Sequence, residues 1–417
     1  MDRMAVKSGQ VLNGKTHASG AKNSALKLLF STILAEGTHQ FKNVPNLKDI
    51  ESTSALLESL GILTERKGED FLVHSNKISN FQASYDLVRK MRASILCLGP
   101  MLTKYGEAIV SLPGGCAIGS RPIDLHLDGM RTLGAEIELK EGFVHAKAKR
   151  LKGATVLFEN VTVGGTENVM MAATLAEGIT ILENAAKEPE IVDLAEYLIK
   201  MGAKITGHGT SIIKIEGVEK LKPASHTVMP DRIEAGTLLL AGAITGGEVT
   251  VEKCVPSHLD ALLFKLKEAG FKISQTDTTM TVERAQAWEA VDITTSPHPQ
   301  FPTDLQAQFM ALMTVAQGTS VISETVFENR FMHVQELMRL GADITPKSRV
   351  AVVRGNPNGL TAAPVMATDL RASACLVLAG LVAKGETVVN RIYHLDRGYE
   401  RMEDKLTSLG AKVKRIV

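Results

Sequence analysis

Apolar residues along this chain gather into two alternating kinds of segment. In the first kind, clearest at 171–176, 238–243 and 376–382, nearly every position is apolar over a helical length, which predicts a helix buried on most sides. In the second, Leu259, Leu262, Leu263 and Leu266 recur at helical spacing among polar residues, which predicts an amphipathic helix covering the outside. A glycine follows each helix and a β-branched stretch follows the glycine. The order therefore reads helix, left-handed stop, strand, turn, helix, stop, strand.

That unit repeats. Leu60-Gly61-Ile62, Leu133-Gly134-Ala135, Met201-Gly202-Ala203, Ala269-Gly270-Phe271, Leu340-Gly341-Ala342 and Leu409-Gly410-Ala411 mark six helix ends. Gly37, Gly106, Gly178, Gly247, Gly318 and Gly385 close the six apolar runs before them. Units of about 70 residues exceed the module size of a solenoid, which is roughly 20 to 50 residues. The expected fold is α/β, six repeats in two closed lobes of three, and a length of 417 residues suits two domains.

Composition narrows the function by exclusion. Lys plus Arg number 47 against 46 for Asp plus Glu, a formal charge of +1, so no global field draws nucleic acid or an anionic membrane. Any anion must be held by a local cluster. The segment Met1-Asp2-Arg3-Met4-Ala5-Val6-Lys7 lacks the apolar run of a signal peptide, and no stretch reaches the ~18 apolar residues needed to span a bilayer. Cys97, Cys116, Cys254 and Cys375 are far apart, which argues against a disulfide framework or zinc knuckle and for a reducing compartment. The expected location is cytoplasmic. The histidines show no His-x-x-x-His pair, no Gly-x-Gly-x-x-Gly follows a strand and Gly20-Ala21-Lys22 lacks the Walker spacing, so no metal, nicotinamide or ATP cofactor is expected; the aromatics form no stacking platform for single-stranded nucleic acid.

The segments entering the six apolar helices are chemically unusual. They read Gly20-Ala21-Lys22-Asn23-Ser24, Arg89-Lys90-Met91-Arg92-Ala93-Ser94, Val163-Gly164-Gly165-Thr166-Glu167, Pro230-Asp231-Arg232-Ile233-Glu234, Pro302-Thr303-Asp304-Leu305-Gln306 and Thr368-Asp369-Leu370-Arg371-Ala372-Ser373. Capping explains Ser, Thr and Asp at helix starts. It does not explain Lys22, Arg92 or Arg371, because a cation at the positive end of a helix is unfavourable unless an anion binds there. The pattern points to a site for phosphate and carboxylate between two lobes. Asp304, with Thr303 beside it, reads as a cap for the helix beginning at Leu305. Glu188 and Glu190, beside Lys187, read as a solvated or cleft-facing charge group.

Cys116 stands apart from the other thiols. Cys97 and Cys375 lie in apolar runs and read as core, and Cys254 as a strand residue. Cys116 follows Pro113-Gly114-Gly115 in a loop with Arg121 nearby and no acid before Asp124, which suits an accessible, reactive thiol as well as an unremarkable loop position.

Taken together, Lys22-Asn23, Pro113-Gly114-Gly115-Cys116, Arg121-Pro122-Ile123-Asp124-Leu125-His126, Ala186-Lys187-Glu188-Pro189-Glu190-Ile191, Pro302-Thr303-Asp304, Glu328-Asn329-Arg330-Phe331-Met332-His333 and Asp396-Arg397-Gly398-Tyr399 resemble the UDP-N-acetylglucosamine 1-carboxyvinyltransferase family of enolpyruvyl transferases. The resemblance runs from Lys7 to the C-terminus. It implies a two-lobed inside-out α/β barrel, with residues 21–229 in one lobe and 1–20 plus 230–417 in the other. It also implies transfer of the enolpyruvyl group of phosphoenolpyruvate to the 3′-hydroxyl of UDP-N-acetylglucosamine with release of phosphate, the first committed step of peptidoglycan synthesis, and fosfomycin as inhibitor.

The same resemblance implies residue roles. Lys22, Asn23, Arg121 and Arg397 would hold phosphoenolpyruvate, whose two anionic groups suit forked donors. Arg92, Arg121, Pro122, Ile123, Asp124, Leu125, Thr162, Val163, Gly164, Asp304 and Val326 would hold the sugar nucleotide. Asp304 would be the base for the sugar hydroxyl and Cys116 the proton donor to the methylene carbon, with Lys22 and Arg397 completing the catalytic group. Asn160 and Thr162 depart from the family's common Lys and Ser. A second enzyme of the same fold, 5-enolpyruvylshikimate-3-phosphate synthase, lacks the Pro-Gly-Gly-Cys loop. A catalytically quiet paralogue would have lost Lys22, Cys116, Asp304 or Arg397, and all four are present.

Overall fold

The computed structural model describes residues 2–76, 78, 80–88, 91–112 and 123–416. The chain divides into two compact units, one built from the termini (up to Ser19 and from Pro230) and one from the described residues between Gly20 and Met229. Each is considered by itself below, as the terminal unit and the middle unit.

Six inner helices follow from the six apolar runs. In the terminal unit these are Arg232–Ile244, Gln306–Met313 and Leu370–Val382, and all three pack on one another. Every residue from Ile233 to Ile244 is buried, so this helix is held by tertiary packing on all sides rather than by an amphipathic face. Truncating one of its leucines to Ala would cost about 2 to 5 kcal/mol. In the middle unit the inner helices are Lys22–Ser31, Leu98–Tyr105 and Val163–Ala173. The outer helices are one-sided: Pro189–Lys200 buries Ile191, Leu194, Ala195 and Leu198 and turns Glu196 outward.

Among the described residues the strands form six four-stranded sheets, three in each unit. Burial alternates along them, as in Val350–Arg354 with Ala351 and Val353 inside, so each sheet gives one face to the core. Each sheet joins two antiparallel pairs to one parallel pair, and distant segments of the chain complete them. Arg3–Lys7 lies antiparallel between Glu386–Asn390 and Lys412–Ile416. Asn13–His17 pairs in parallel with Glu248–Glu252, and Ser225–Thr227 with Gly37–Lys42. The hairpin Glu136–Lys140 with Phe143–Lys147 closes through Glu141 (φ 53°) and Gly142 (φ 79°). Two successive positive φ values make this the turn whose twist matches the strands.

The outer-helix stops behave as their spacing predicts: Gly61, Gly134, Gly202, Gly270, Gly341 and Gly410 all have φ between 87° and 106°. The inner-helix stops depart once. Gly247 is absent from the left-handed residues and Gly246 (φ 64°) takes the turn instead; a Cβ on Gly247 would meet the Leu12 carbonyl oxygen at 1.9 Å, so close backbone approach is what requires glycine there. A further repeat was not legible in the sequence. Asn43, Asn184, Lys253 and Arg391, each directly after a strand, all turn left-handed (φ 50° to 62°). The corresponding corners of the second and fifth repeats, Leu112 and Glu324, do not. Cys254 follows its strand rather than lying on it.

Candidate active site

In the terminal unit, Asp304 sits in the single 3-10 turn Thr303–Leu305 that leads into Gln306–Met313. It is not a cap, since neither element has a side-chain cap. Its Oδ1 accepts from Arg330 Nη2 at 2.6 Å and its Oδ2 from Arg371 Nη2 at 3.0 Å. Burial opposes ionisation, but Arg371 and Arg330 outweigh it and hold the carboxyl well below the usual carboxylate range. Arg371 opens Leu370–Val382, whose start is capped by Asp369 accepting from the Arg371 and Ala372 amides. The charge of Arg371 is therefore taken up by Asp304 within the unit. That differs from the sequence reading, which counted Arg371 among cations awaiting an external anion.

The arginines are themselves fixed. Arg371 Nη1 donates to Tyr399 Oη at 3.2 Å, and Gln308 Nε2 reaches Tyr399 Oη, Thr237 Oγ1 and the Asp304 carbonyl at 3.0 to 3.1 Å. Arg330 is 5% exposed, donates to Thr303 Oγ1 at 3.2 Å, and lies over the Phe327 ring. Beneath them Glu324, 1% exposed, accepts from Thr295, Thr303 and the amides of Val326 and Phe327 at 2.8 to 3.0 Å. Val326 is placed by that carboxylate. His333, three residues after Arg330, is pushed down to about 4 by burial. Arg397 ends the 3-10 turn Ile392–Arg397 and, with Arg391, adds to the burial that lowers the His394 pKa.

The middle unit carries the rest of the described candidates. Lys22 opens Lys22–Ser31 after Ala21, which provides no side-chain cap; its ammonium is 3.4 Å from Asp49 Oδ2, and Asn23 follows, half-buried. Arg92 opens the 3-10 turn Arg92–Cys97. Thr162 caps Val163–Ala173 through Oγ1, which accepts from Gly165 N at 3.1 Å, so here the capping account holds. Gly164 faces the His126 ring, where a Cβ would meet Cε1 at 3.0 Å. Burial, with Arg92 adding, pushes His126 down to about 4. Asn168 Nδ2 lies 3.1 Å from His126 Nδ1, so a neutral imidazole accepts there. Ile123 is 9% exposed, Asp124 opens Asp124–Thr132 in solvent, and Leu125 is half-buried.

Glu188 and Glu190 are buried, at 8% and 4% exposure, so of the two alternatives read from the sequence the solvated one does not hold. They raise the pKa of Glu167, which burial lifts to about 7 although Lys27 Nζ lies 3.4 Å away. Glu167 was legible as a charged residue at a helix start, but its burial beside two further acids was not. Cys116, Arg121, Pro122, Arg89 and Lys90 lie outside the described residues. No cluster of metal-ligating side chains occurs among the described residues, nor a helix long and apolar enough to cross a membrane.

Known proteins match over the whole length. A family model described as EPSP synthase (3-phosphoshikimate 1-carboxyvinyltransferase) fits residues 6–406. A UDP-N-acetylglucosamine 1-carboxyvinyltransferase of Bdellovibrio bacteriovorus is 75% identical over 413 residues, covering 99% of this chain and 100% of that protein. The protein of the same name from Myxococcus xanthus is 57% identical over 418 residues, covering 100% of this chain and 99% of its own. Among solved structures, the enolpyruvyl transferase NikO from Streptomyces tendae superposes with a TM-score of 0.89 at 24% identity, over 99% of this chain and 98% of its own. An EPSP synthase from Acinetobacter baumannii gives 0.76 at 17% over the full length of both chains. With its repeated helix-and-sheet units in the inside-out α/β arrangement of those structures, the chain belongs to the EPSP synthase (3-phosphoshikimate 1-carboxyvinyltransferase) family.

Proposed function

We propose that the protein transfers the enolpyruvyl group of phosphoenolpyruvate to the 3′-hydroxyl of UDP-N-acetylglucosamine and releases phosphate, as the first committed step of peptidoglycan synthesis in the cytoplasm. The observation that carries this reading is the 75% identity, end to end, with a relative of that name. The residues supply a division of labour consistent with it. Lys22, Asn23, Arg121 and Arg397 bind the phosphate and carboxylate of phosphoenolpyruvate. Arg92, the run Arg121 to Leu125, Thr162, Val163, Gly164, Asp304 and Val326 bind the sugar nucleotide.

In the addition half, O3′ bonds to C2 of phosphoenolpyruvate and its proton passes to Asp304. The Cys116 thiol gives its proton to C3, the double bond becomes single, and a tetrahedral ketal results. In the elimination half a C3 proton returns to the Cys116 thiolate, the bond from C2 to the phosphate oxygen breaks, and the double bond re-forms. The departing phosphate takes the proton held on Asp304. Doubly paired with Arg330 and Arg371, Asp304 is a weak base; it gains strength as one guanidinium turns toward the incoming anionic substrate.

The test is phosphate release from phosphoenolpyruvate by the purified protein. Release is expected with UDP-N-acetylglucosamine and without added metal, and not with shikimate 3-phosphate; equal release with both acceptors would overturn the reading. Fosfomycin, an epoxide, should alkylate Cys116 and stop turnover. Cys116→Asp should keep activity and escape the inhibitor, whereas Cys116→Ser should be nearly inactive, because a hydroxyl is too weak an acid for the transfer.

A further inference from the structure

The outer helix Pro189–Lys200 has a polar line that runs from buried Glu190 to exposed Lys200. Glu190, Asp193, Tyr197 and Lys200 are spaced three, four and three residues apart and so share one face. Asp193 is only 11% exposed at its side chain and three donors converge on it. Ser24 Oγ donates to Oδ2, the Met229 amide approaches the same oxygen at 3.4 Å, and His226 Nε2 lies 2.8 Å from Oδ1. On the far side of that imidazole, Lys200 Nζ is 3.0 Å from Nδ1. An ammonium has only hydrogens to offer, so Nδ1 accepts and the Nε2 hydrogen is the one given to Asp193. The line runs Lys200, His226, Asp193, Ser24, with every hydrogen bond donating toward the carboxylate, an order in which each bond polarises the next.

Ser24 is two residues from Lys22 and one from Asn23, in the first turn of a helix with no side-chain cap and no acid in that turn. A cation there is disfavoured by the helix end, so the start must be held from outside. Ala21 N donates to the Met229 carbonyl at 2.7 Å, and Asn43 Nδ2 to the Val228 carbonyl at 2.9 Å. Asp193 joins the same two segments, the helix start through Ser24 and the strand end through Met229. Tyr197, one turn on, hydrogen-bonds His39 Nδ1 at 2.5 Å, and His39 Nε2 reaches the Ala35 carbonyl at 2.9 Å, just past the other end of the helical segment.

We propose that Asp193 is a positioning residue that sets Lys22 and Asn23 for phosphoenolpyruvate through Ser24, with His226 and Lys200 fixing its orientation. The inference rests on the reading that Lys22 and Asn23 bind that substrate. Ser24→Ala and Asp193→Asn are each expected to raise the KM for phosphoenolpyruvate about tenfold, the worth of one hydrogen bond to a charged group, and to leave the KM for UDP-N-acetylglucosamine within about twofold. Because both act through one bond, the double variant should be no worse than the poorer single. A purely structural role would lower Tm and impair both substrates alike, or give additive losses, and either result would overturn the proposal, as would an unchanged KM in Ser24→Ala. Should the unaltered protein release no phosphate with this substrate pair, the functional reading itself fails, a result separate from any of these.

Discussion

Two guanidinium groups grip the Asp304 carboxylate, and that grip sets what a substitution there must do. Asp304→Asn removes an anion from between Arg330 and Arg371, which are 5% exposed each. A stability loss of about 1.5 to 3 kcal/mol is expected, the worth of hydrogen bonds to charged groups, where a mere cap would have tolerated Asn. As a base, Asn takes no proton, so turnover should also fall by ~10² to 10⁴. Thermal melting and phosphate release read the two effects separately; a stable variant with turnover within a few-fold of normal would assign the base to another residue. Asp304 was legible in Pro302-Thr303-Asp304, but its partners were not. Arg330 is 26 residues away and Arg371 67, and the pairing forms only where the turn before Gln306–Met313, the start of Leu370–Val382 and the turn before Val334–Arg339 meet. Glu324 was missed for the same reason, since its partners Thr295 and Thr303, 29 and 21 residues away, meet it only in the folded unit.

Among elements, helices and their stops were the most readable, because a nearly continuous apolar run followed by glycine has few other solutions. Less legible were the strand corners, where Asn43, Asn184, Lys253 and Arg391 share a left-handed turn although only two of the four are asparagine. The inner helix Val163–Ala173 has a polar entry, and Glu167 in that entry is buried. That carboxyl is lifted to about 7 from an ordinary 4.5, so between those values the unfolded chain has lost a proton that the folded chain retains. Its contribution to stability therefore declines as pH rises from about 4.5 to about 7 and is level above that. Glu167→Gln should remove this decline. Tm measured at several pH values across that range should fall less for the variant than for the unaltered protein, and parallel profiles would contradict the assignment.

At the scale of the whole molecule, both units are closed by strands from remote parts of the chain, which is what makes each compact despite its interrupted sequence. In the middle unit the closing strand is Ser225–Thr227, paired with Gly37–Lys42. A polypeptide of residues 20–229 should accordingly melt cooperatively on its own, whereas one ending at residue 222 should melt lower and more broadly, as followed by circular dichroism. Equal melting of the two would show that the strand is dispensable. The repeat count and the α/β class were visible in the spacing of glycines, whereas the crossing points near residues 20 and 230 came from the family resemblance, since a parallel partner some 180 residues away leaves no local pattern. The central claim is enolpyruvyl transfer by addition and elimination, and the most direct measurement is mass spectrometry and NMR of the product formed in deuterium oxide. Protonation of C3 from an exchangeable thiol followed by loss of a C3 proton predicts an enolpyruvyl ether on O3′ of UDP-N-acetylglucosamine whose methylene carries deuterium. Phosphate release without that ether, or an ether free of deuterium, would contradict the account.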